Sequence, residues 1–254
     1  MSSLTQLKSK SFSQLNKLYP ENEIKNFMYM IFEHILGYSK IDCIIKENEI
    51  IVENKIKEID NIIIRLQKHE PIQYILGEAD FLGFKFKVNQ HVLIPRAETE
   101  ELVYSVMGST IAHLKEDKLK IMDIGTGSGC ITITLQKLLP QFNYFAVDVS
   151  KEAIDVATQN AIFNQAHTNS ITFILADILN ESNWSLLPYV DIIVSNPPYI
   201  TEKEKKEMDK NVVDYEPHLA LFIPDDNPLL FYDAIAKLAK QKLSIGGELY
   251  FEIH

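Results

Sequence analysis

KIMDIGTGSG, residues 120–129, is an apolar strand that runs into three glycines, at positions 125, 127 and 129. Small residues at the end of a buried strand let the backbone approach a ligand at the mouth of a sheet. A dinucleotide fingerprint, G-x-G-x-x-G, would place its third glycine at position 130, where the chain carries Cys130. No Gly-Lys-Ser/Thr follows either, which excludes a Walker A phosphate loop. Outward from this stretch, strand and helix patterns alternate. KIMDIG (120–125), NYFAVDVS (143–150), ITFILAD (171–177), VDIIVSN (190–196) and ELYFEI (248–253) read as strands, with helical stretches between most of them. That alternation predicts right-handed βαβ crossovers and an α/β fold whose mostly parallel sheet is covered on both faces.

The strand ends point to a ligand. The second strand ends in AVDVS, with Asp148 placed 19 residues after Gly129. A carboxylate there can accept hydrogen bonds from ribose hydroxyls. The third ends in LADI, which sets Asp177 beside the expected position of an adenine ring. These features predict an adenosine ligand without a pyrophosphate, and S-adenosylmethionine fits, its amino-acid end being compact and zwitterionic. The alternative is a tight strand-to-helix turn with surface acids.

The fourth strand runs into Asn196, Pro197, Pro198 and Tyr199. Proline has no N–H to donate, so the ladder stops there. Methylating a planar nitrogen requires its lone pair to leave the π-system and face the methyl group. Two fixed acceptors for its N–H groups enforce that. The Asn196 side-chain oxygen and the Pro197 carbonyl are candidates, with Pro198 restraining Pro197 and Tyr199 offering a stacking face. These assignments make Asn196, Pro197 and Tyr199 the candidate catalytic residues. A Pro-Pro loop exit is the bland alternative.

The N-terminal 70 residues read as helices. Ile24, Phe27, Met28, Ile31 and Ile35 share one helical face ahead of Gly37. Val52, Ile56, Ile59, Ile63 and Leu66 share another, with Pro71 ending the segment. Residues 74–95 hold the alternating FKFKV and read as a β-hairpin. The predicted organisation is a helical bundle (1–73), a hairpin linker (74–95) and an α/β domain (96–254). The bundle is either a structural cap or a docking module for a macromolecular partner.

Charge and composition narrow the function. The net charge is −10, all of it beyond residue 75. An acidic domain is a poor default partner for nucleic acid, whose affinity comes largely from phosphate neutralisation. The two cysteines, Cys43 and Cys130, have no metal-ligand spacing, and the seven histidines are scattered, so no metal site is expected. The same cysteine usage points to the cytoplasm. No apolar run suits a membrane span, and the start lacks the apolar core of a signal peptide.

Five stretches together resemble the release-factor glutamine methyltransferases, the PrmC/HemK family. They are EPIQYILGEADFLGFKFKVN (70–89), VLIPRAETEELV (92–103), DIGTGSGCITITL (123–135), VSNPPYI (194–200) and DYEPHLALF (214–222). The resemblance implies a Rossmann-like class I methyltransferase sheet with an N-terminal helical bundle. It implies methyl transfer from S-adenosylmethionine to the side-chain amide N5 of the glutamine in the Gly-Gly-Gln motif of class 1 peptide chain release factors. A monomer is expected. By the resemblance Gly125, Thr126, Gly127, Ser128, Gly129, Asp148 and Asn196 contact the cofactor, and the strand-end reading adds Asp177. Asn196, Pro197, Pro198 and Tyr199 hold the glutamine amide. Arg96, Glu98 and Glu100 lie near the site by the same resemblance; Arg96 and Glu100 are expected to bind substrate, and the alternative, a tie between hairpin and catalytic domain, we assign to Glu98. Proteins of this fold normally follow the fifth strand with a helix and two further strands, for which no pattern follows ELYFEI. This predicts an unpaired, self-associating strand edge at ELYFEI. Two other readings remain: a DNA or RNA adenine methyltransferase, which faces the same chemical problem at an exocyclic amine, and an inactive module that binds release factors.

Overall fold

The computed structural model describes residues 2–110 and 119–253. Contacts divide the chain into two compact units, Met1–Leu76 and Gly77–His254.

The first unit is helical. Ser3 closes a two-residue strand, β1 (Ser2–Ser3), and caps α1 (Leu4–Leu15). Its Oγ accepts the Gln6 N–H at 3.3 Å while Gln6 Oε1 accepts the Ser3 N–H at 2.9 Å, which satisfies donors the first turn leaves open. α2 (Glu21–Leu36) ends at Gly37, whose φ of +70° is the left-handed stop that glycine adopts most easily. A short α3 (Asp42–Ile45) leads to β2 (Ile50–Ile51), which pairs antiparallel with β1. α4 (Glu53–Leu66) packs with α1 and α2 around Leu7, Ile31, Phe32, Ile59 and Ile63.

Two expectations fail here. Val52 is the N-cap of α4, outside its helical geometry, and is 60% exposed; Ile62 joins the buried face instead. α4 also stops at Leu66, before Pro71, which opens a further short helix, α5 (Ile72–Leu76). The Ile75 N–H donates to the Pro71 carbonyl at 3.0 Å, and Ile72 and Tyr74 are buried. Residues 74–76 are therefore helical and do not belong to the hairpin.

The second unit begins with that hairpin, β3 (Glu78–Phe81) and β4 (Phe84–Lys87), joined by Leu82 and Gly83. Both turn residues have positive φ, 47° and 78°, the two-residue geometry whose twist matches that of the strands. The outer edge of β4 meets side chains of α8 (Lys151–Phe163). Asn160 Oδ1 accepts the Lys87 N–H at 2.7 Å and its Nδ2 donates to the Lys87 carbonyl at 2.9 Å, while Asn164 Nδ2 donates to the Lys85 carbonyl at 2.9 Å. An edge that would otherwise offer free backbone groups is thereby covered.

Five parallel strands form the sheet: β5 (Lys120–Ile124), β6 (Asn143–Asp148), β7 (Ile171–Leu175), β8 (Val190–Ser195) and β11 (Leu243–Phe251), in the order β11-β8-β5-β6-β7. Alternate residues feed two cores. Ile121, Tyr144, Ile192 and Val194 enter one, with Val103 and Val106 of α6 (Ala97–Thr110) and Ile133 of α7 (Cys130–Leu138). Met122, Val147 and Ile193 enter the other, with Trp184 and with Ile235 and Leu238 of α10 (Leu230–Lys242). Burial on both faces explains the continuous apolar runs of the central strands β5 and β8. β11 starts five residues earlier than ELYFEI and carries a register shift between Leu243 and Glu248. Gly247 tolerates no side chain there, since a Cβ would lie 2.8 Å from the Asp191 carbonyl oxygen.

The strand order reverses at β5, whose neighbours are β6 and β8. In such sheets the crevice beyond the carboxyl ends at this point is where ligands bind. Past β8 the chain forms β9 (Ile200–Thr201), α9 (Lys210–Tyr215) and β10 (Phe222–Ile223), which pairs parallel with β9 and folds this excursion back over the crevice.

Candidate active site

Two cavities meet at the reversal point. One, about 1000 Å³ with its open mouth included, is lined by Gly125 and Gly127 beyond the end of β5, Asp148 at the last position of β6 and Asp177 two residues past β7. Val149, Ala153, Ala176, Ile178 and Phe231 supply apolar wall. The second, about 590 Å³, is lined by Arg96, Tyr199, Met208 and Val212. Asn196, Pro197 and Pro198 line both.

The glycine loop is held from beneath. The Gly125 and Thr126 N–H groups both donate to the Val147 carbonyl, at 2.9 and 3.0 Å. Asp148 Oδ2 accepts the Gly127 N–H and its Oδ1 accepts the Ser150 N–H, each at 2.9 Å. Each oxygen keeps a further lone pair for a ligand hydroxyl. Burial raises the Asp148 carboxyl above the usual range, opposed by these backbone donors. Gly125 (φ 75°) and Gly127 (φ 54°) adopt backbone that other residues enter at a cost. Asp177 Oδ1 accepts the Leu179 N–H at 2.9 Å, which fixes the turn after β7. Two close-approach glycines, a carboxylate with spare acceptor capacity and an apolar wall suit an adenosine ligand.

Thr126, Ser128 and Gly129 do not line the cleft. The Thr126 hydroxyl donates to Asp123 Oδ2 at 2.7 Å, and the Thr132 hydroxyl donates to the same atom at 2.8 Å. The Ser128 carbonyl accepts Asn160 Nδ2 at 2.8 Å. Gly129 stands where α7 meets α8, since a Cβ there would lie 2.8 Å from Ile133 Cδ1 and 3.1 Å from Ala157 Cβ. These three residues shape the loop from behind. The buried acid Asp123 escaped the sequence reading. Its Oδ1 has no hydrogen-bond partner, and burial pushes its carboxyl up to about 6.

The Asn196 corner has its own support. Ser195 Oγ donates to the Ile124 carbonyl at 2.7 Å, which clamps the ends of β8 and β5. The Glu252 N–H donates to the Ser195 carbonyl at 3.0 Å, which extends the β11–β8 ladder and brings Glu252 beside Asn196. Asn196 Nδ2 donates to Thr99 Oγ1 at 3.0 Å, and Thr99 Oγ1 donates to Glu252 Oε2 at 2.7 Å. Burial, followed by the charge of Glu252, pushes the half-buried Tyr199 phenol up.

Of the IPRAETEE residues, Arg96 reaches the second cavity and also grips Glu216: its Nη2 donates to Glu216 Oε1 at 2.6 Å. The Glu216 side chain is 1% exposed, and its Oε2 accepts the Ile94 N–H at 3.3 Å. Burial still holds the Glu216 carboxyl above its usual value against the pull of Arg96. Glu100 does not reach either cavity. Its Oε1 accepts the Leu82 N–H at 2.9 Å, so Glu100 is the tie between hairpin and helix that was expected of Glu98. Glu98 is exposed and bears on Tyr199 and Glu252 by charge. Thr99, Glu216 and Glu252 were not foreseen. Thr99 and Glu216 lie within stretches that carried the resemblance, but which side chains in them meet is set by long-range folding.

Two family models and several relatives match this chain. The PrmC N-terminal domain matches residues 6–77 and the methyltransferase small domain matches residues 108–215. The chain is 45% identical over 240 residues to a release factor glutamine methyltransferase of Flavobacterium psychrophilum, covering 94% of this chain and 82% of that protein. It is 46% identical to one of Bacteroides thetaiotaomicron, covering 94% and 83%. It is 41% identical to one of Lactococcus lactis, covering 88% and 78%. This chain belongs to the release factor glutamine methyltransferases, S-adenosylmethionine-dependent enzymes.

Proposed function

We propose that this protein methylates the side-chain amide N5 of the glutamine in the Gly-Gly-Gln motif of class 1 peptide chain release factors. The observation that carries the reading is the shared wall: Asn196, Pro197 and Pro198 line both the glycine-loop cleft and the neighbouring recess. The cleft side suits the cofactor, held by the Gly125–Gly127 backbone, Asp148 and Asp177. S-adenosylmethionine supplies an electrophilic methyl group on a sulfonium sulfur. On the recess side, the Asn196 side-chain oxygen and the Pro197 carbonyl accept the two amide N–H groups of the target glutamine. That turns its nitrogen lone pair out of conjugation and toward the cleft. Tyr199 offers its ring to the planar amide, and Arg96 braces the recess through Glu216. We assign the helical unit to substrate docking. Support comes from Ile41, Ile44 and Ile45, which expose 68%, 66% and 76% of their surface in and beside α3.

The test is labelled methyl transfer to purified release factor, with the modified residue located by mass spectrometry. Label on the Gly-Gly-Gln glutamine, lost when that glutamine is replaced by asparagine, supports the reading. Label on nucleic acid in the same mixture, with none on the release factor, overturns it.

A further inference from the structure

A carboxamide presents either an oxygen or an NH2 group to its surroundings, and only the oxygen can accept an N–H from a substrate amide. The chemistry proposed above fails if Asn196 is turned the wrong way. The pieces that decide this lie outside both cavities. Ionised Glu252 only accepts hydrogen bonds, so the one Thr99 hydroxyl proton goes to Glu252 Oε2. Thr99 Oγ1 is then an acceptor toward Asn196 and draws its Nδ2, at 3.0 Å. Asn196 also lowers the Glu252 pKa through a hydrogen bond, which makes the carboxylate a second partner for the same NH2 group. With its NH2 group engaged on that side, the Asn196 oxygen is left for the cavities.

We infer that Thr99 and Glu252 are positioning residues that set the orientation of the Asn196 carboxamide, with the direction of the whole chain fixed by the carboxylate at its far end. The inference rests on the role of Asn196 in the proposed reaction. Three elements converge to build the chain: Thr99 in the first turn of α6, Asn196 after β8 and Glu252 after β11. The ladder bond from the Glu252 N–H to the Ser195 carbonyl holds two of them side by side. The groups around Glu252 tune it. Burial raises its carboxyl, Glu98 raises it further, and Arg96, Thr99 and Asn196 lower it. Tyr199 lies within reach of its charge, and the Tyr232 hydroxyl donates to its backbone carbonyl at 3.0 Å. Protonated Glu252 gains a donor. It can then donate to Thr99, whose proton becomes free for the Asn196 oxygen, and the carboxamide reverses.

Two readouts test this, and one needs no turnover. The first is the pair of Asn196 side-chain NH2 resonances in 15N-labelled protein, identified by their loss in Asn196→Asp. Thr99→Ser, which keeps the hydroxyl, should leave the pair in place. Thr99→Val and Glu252→Gln should shift it and speed its exchange with water. The second is single-turnover methyl transfer to release factor, with cofactor affinity by calorimetry as the control for folding. Thr99→Val should slow transfer about 10²-fold, the scale for a reacting group displaced by about an ångström, with cofactor affinity within about threefold of wild type. Thr99→Ser should restore most of the rate. The wild-type rate should fall as pH drops through the raised Glu252 pKa, and that acid limb should vanish in Glu252→Gln. An unchanged Asn196 NH2 pair in Thr99→Val overturns the inference, as does a rate within about threefold of wild type. A wild-type protein that transfers no methyl to release factor overturns the reading of function instead, and the resonance test still decides the orientation.

Discussion

Replacing Asp123 by asparagine should change how stability depends on pH, with a sign set by burial. Asp123 is 1% exposed, and its carboxyl is raised from 3.8 to about 6. Burial is the largest cause and the charge of Asp148 adds to it, while the Thr126 and Thr132 hydroxyls oppose. A carboxyl raised in this way favours the folded state when protonated. Its contribution is complete below the unfolded value and is lost as pH climbs through the folded one. At 1.36 kcal/mol per pKa unit, the shift sets a ceiling of about 3 kcal/mol, of which about 1.4 kcal/mol is lost between about pH 5 and about pH 8. Asparagine cannot ionise. Its oxygen can still accept the two threonine hydroxyls, and its NH2 group replaces an oxygen that has no partner. Any packing cost of that exchange is the same at both pH values and cancels. Urea unfolding of both proteins at both pH values gives the difference of differences. Asp123→Asn should gain about 1.4 kcal/mol on wild type as pH rises. Parallel pH dependences, or a variant that loses ground, refute the assignment of a buried, raised acid beneath the glycine loop.

Asp148→Ala should weaken S-adenosylmethionine binding at least about tenfold, since it removes charge-assisted acceptors worth roughly 1.5–3 kcal/mol each together with the ties to Gly127 and Ser150; an unchanged calorimetric affinity would place the ribose elsewhere. Gly129→Ala should lower stability by about 1–3 kcal/mol, because its φ is +80° and the added Cβ would press on Ile133 and Ala157. A thermal melt reads it, and a melting temperature equal to wild type contradicts the packing argument. Ile44→Asp with Ile45→Asp should raise KM for release factor while leaving cofactor affinity alone. An unchanged KM removes those side chains from docking.

The sheet was legible because its central strands are buried on both faces, so KIMDI, NYFAVD and VDIIVS announce themselves as apolar runs. The corners of the candidate cleft followed, since the carboxyl ends of parallel strands face one crevice, and Gly125, Asp148, Asp177 and Asn196 all lie at or just past such ends and line it. The misplaced features are those decided by contacts distant in sequence. Nothing local distinguishes Glu98 from Glu100, yet only the latter meets the Leu82 N–H across the fold. Thr126 and Gly129 sit in the same loop as Gly125 and Gly127 but turn inward, one to satisfy Asp123 and the other to let two helices close. Thr99, Glu216 and Glu252 owe their partners to separations of 97, 120 and 153 residues. Tyr74–Leu76 reads as strand by composition, and Pro71 together with the burial of Ile72 makes it helix.

In the proposed reaction Asn196 acts on the nucleophile and not chiefly on the cofactor. The direct measurement is the single-turnover rate of methyl transfer to release factor for Asn196→Ala at saturating cofactor, with cofactor affinity measured on the same protein. Loss of one preorganised acceptor should cut the rate on the order of 10²–10³ while the affinity changes only a few-fold. A variant that keeps more than about a tenth of the wild-type rate, or whose slow rate is fully explained by lost cofactor binding, would contradict it.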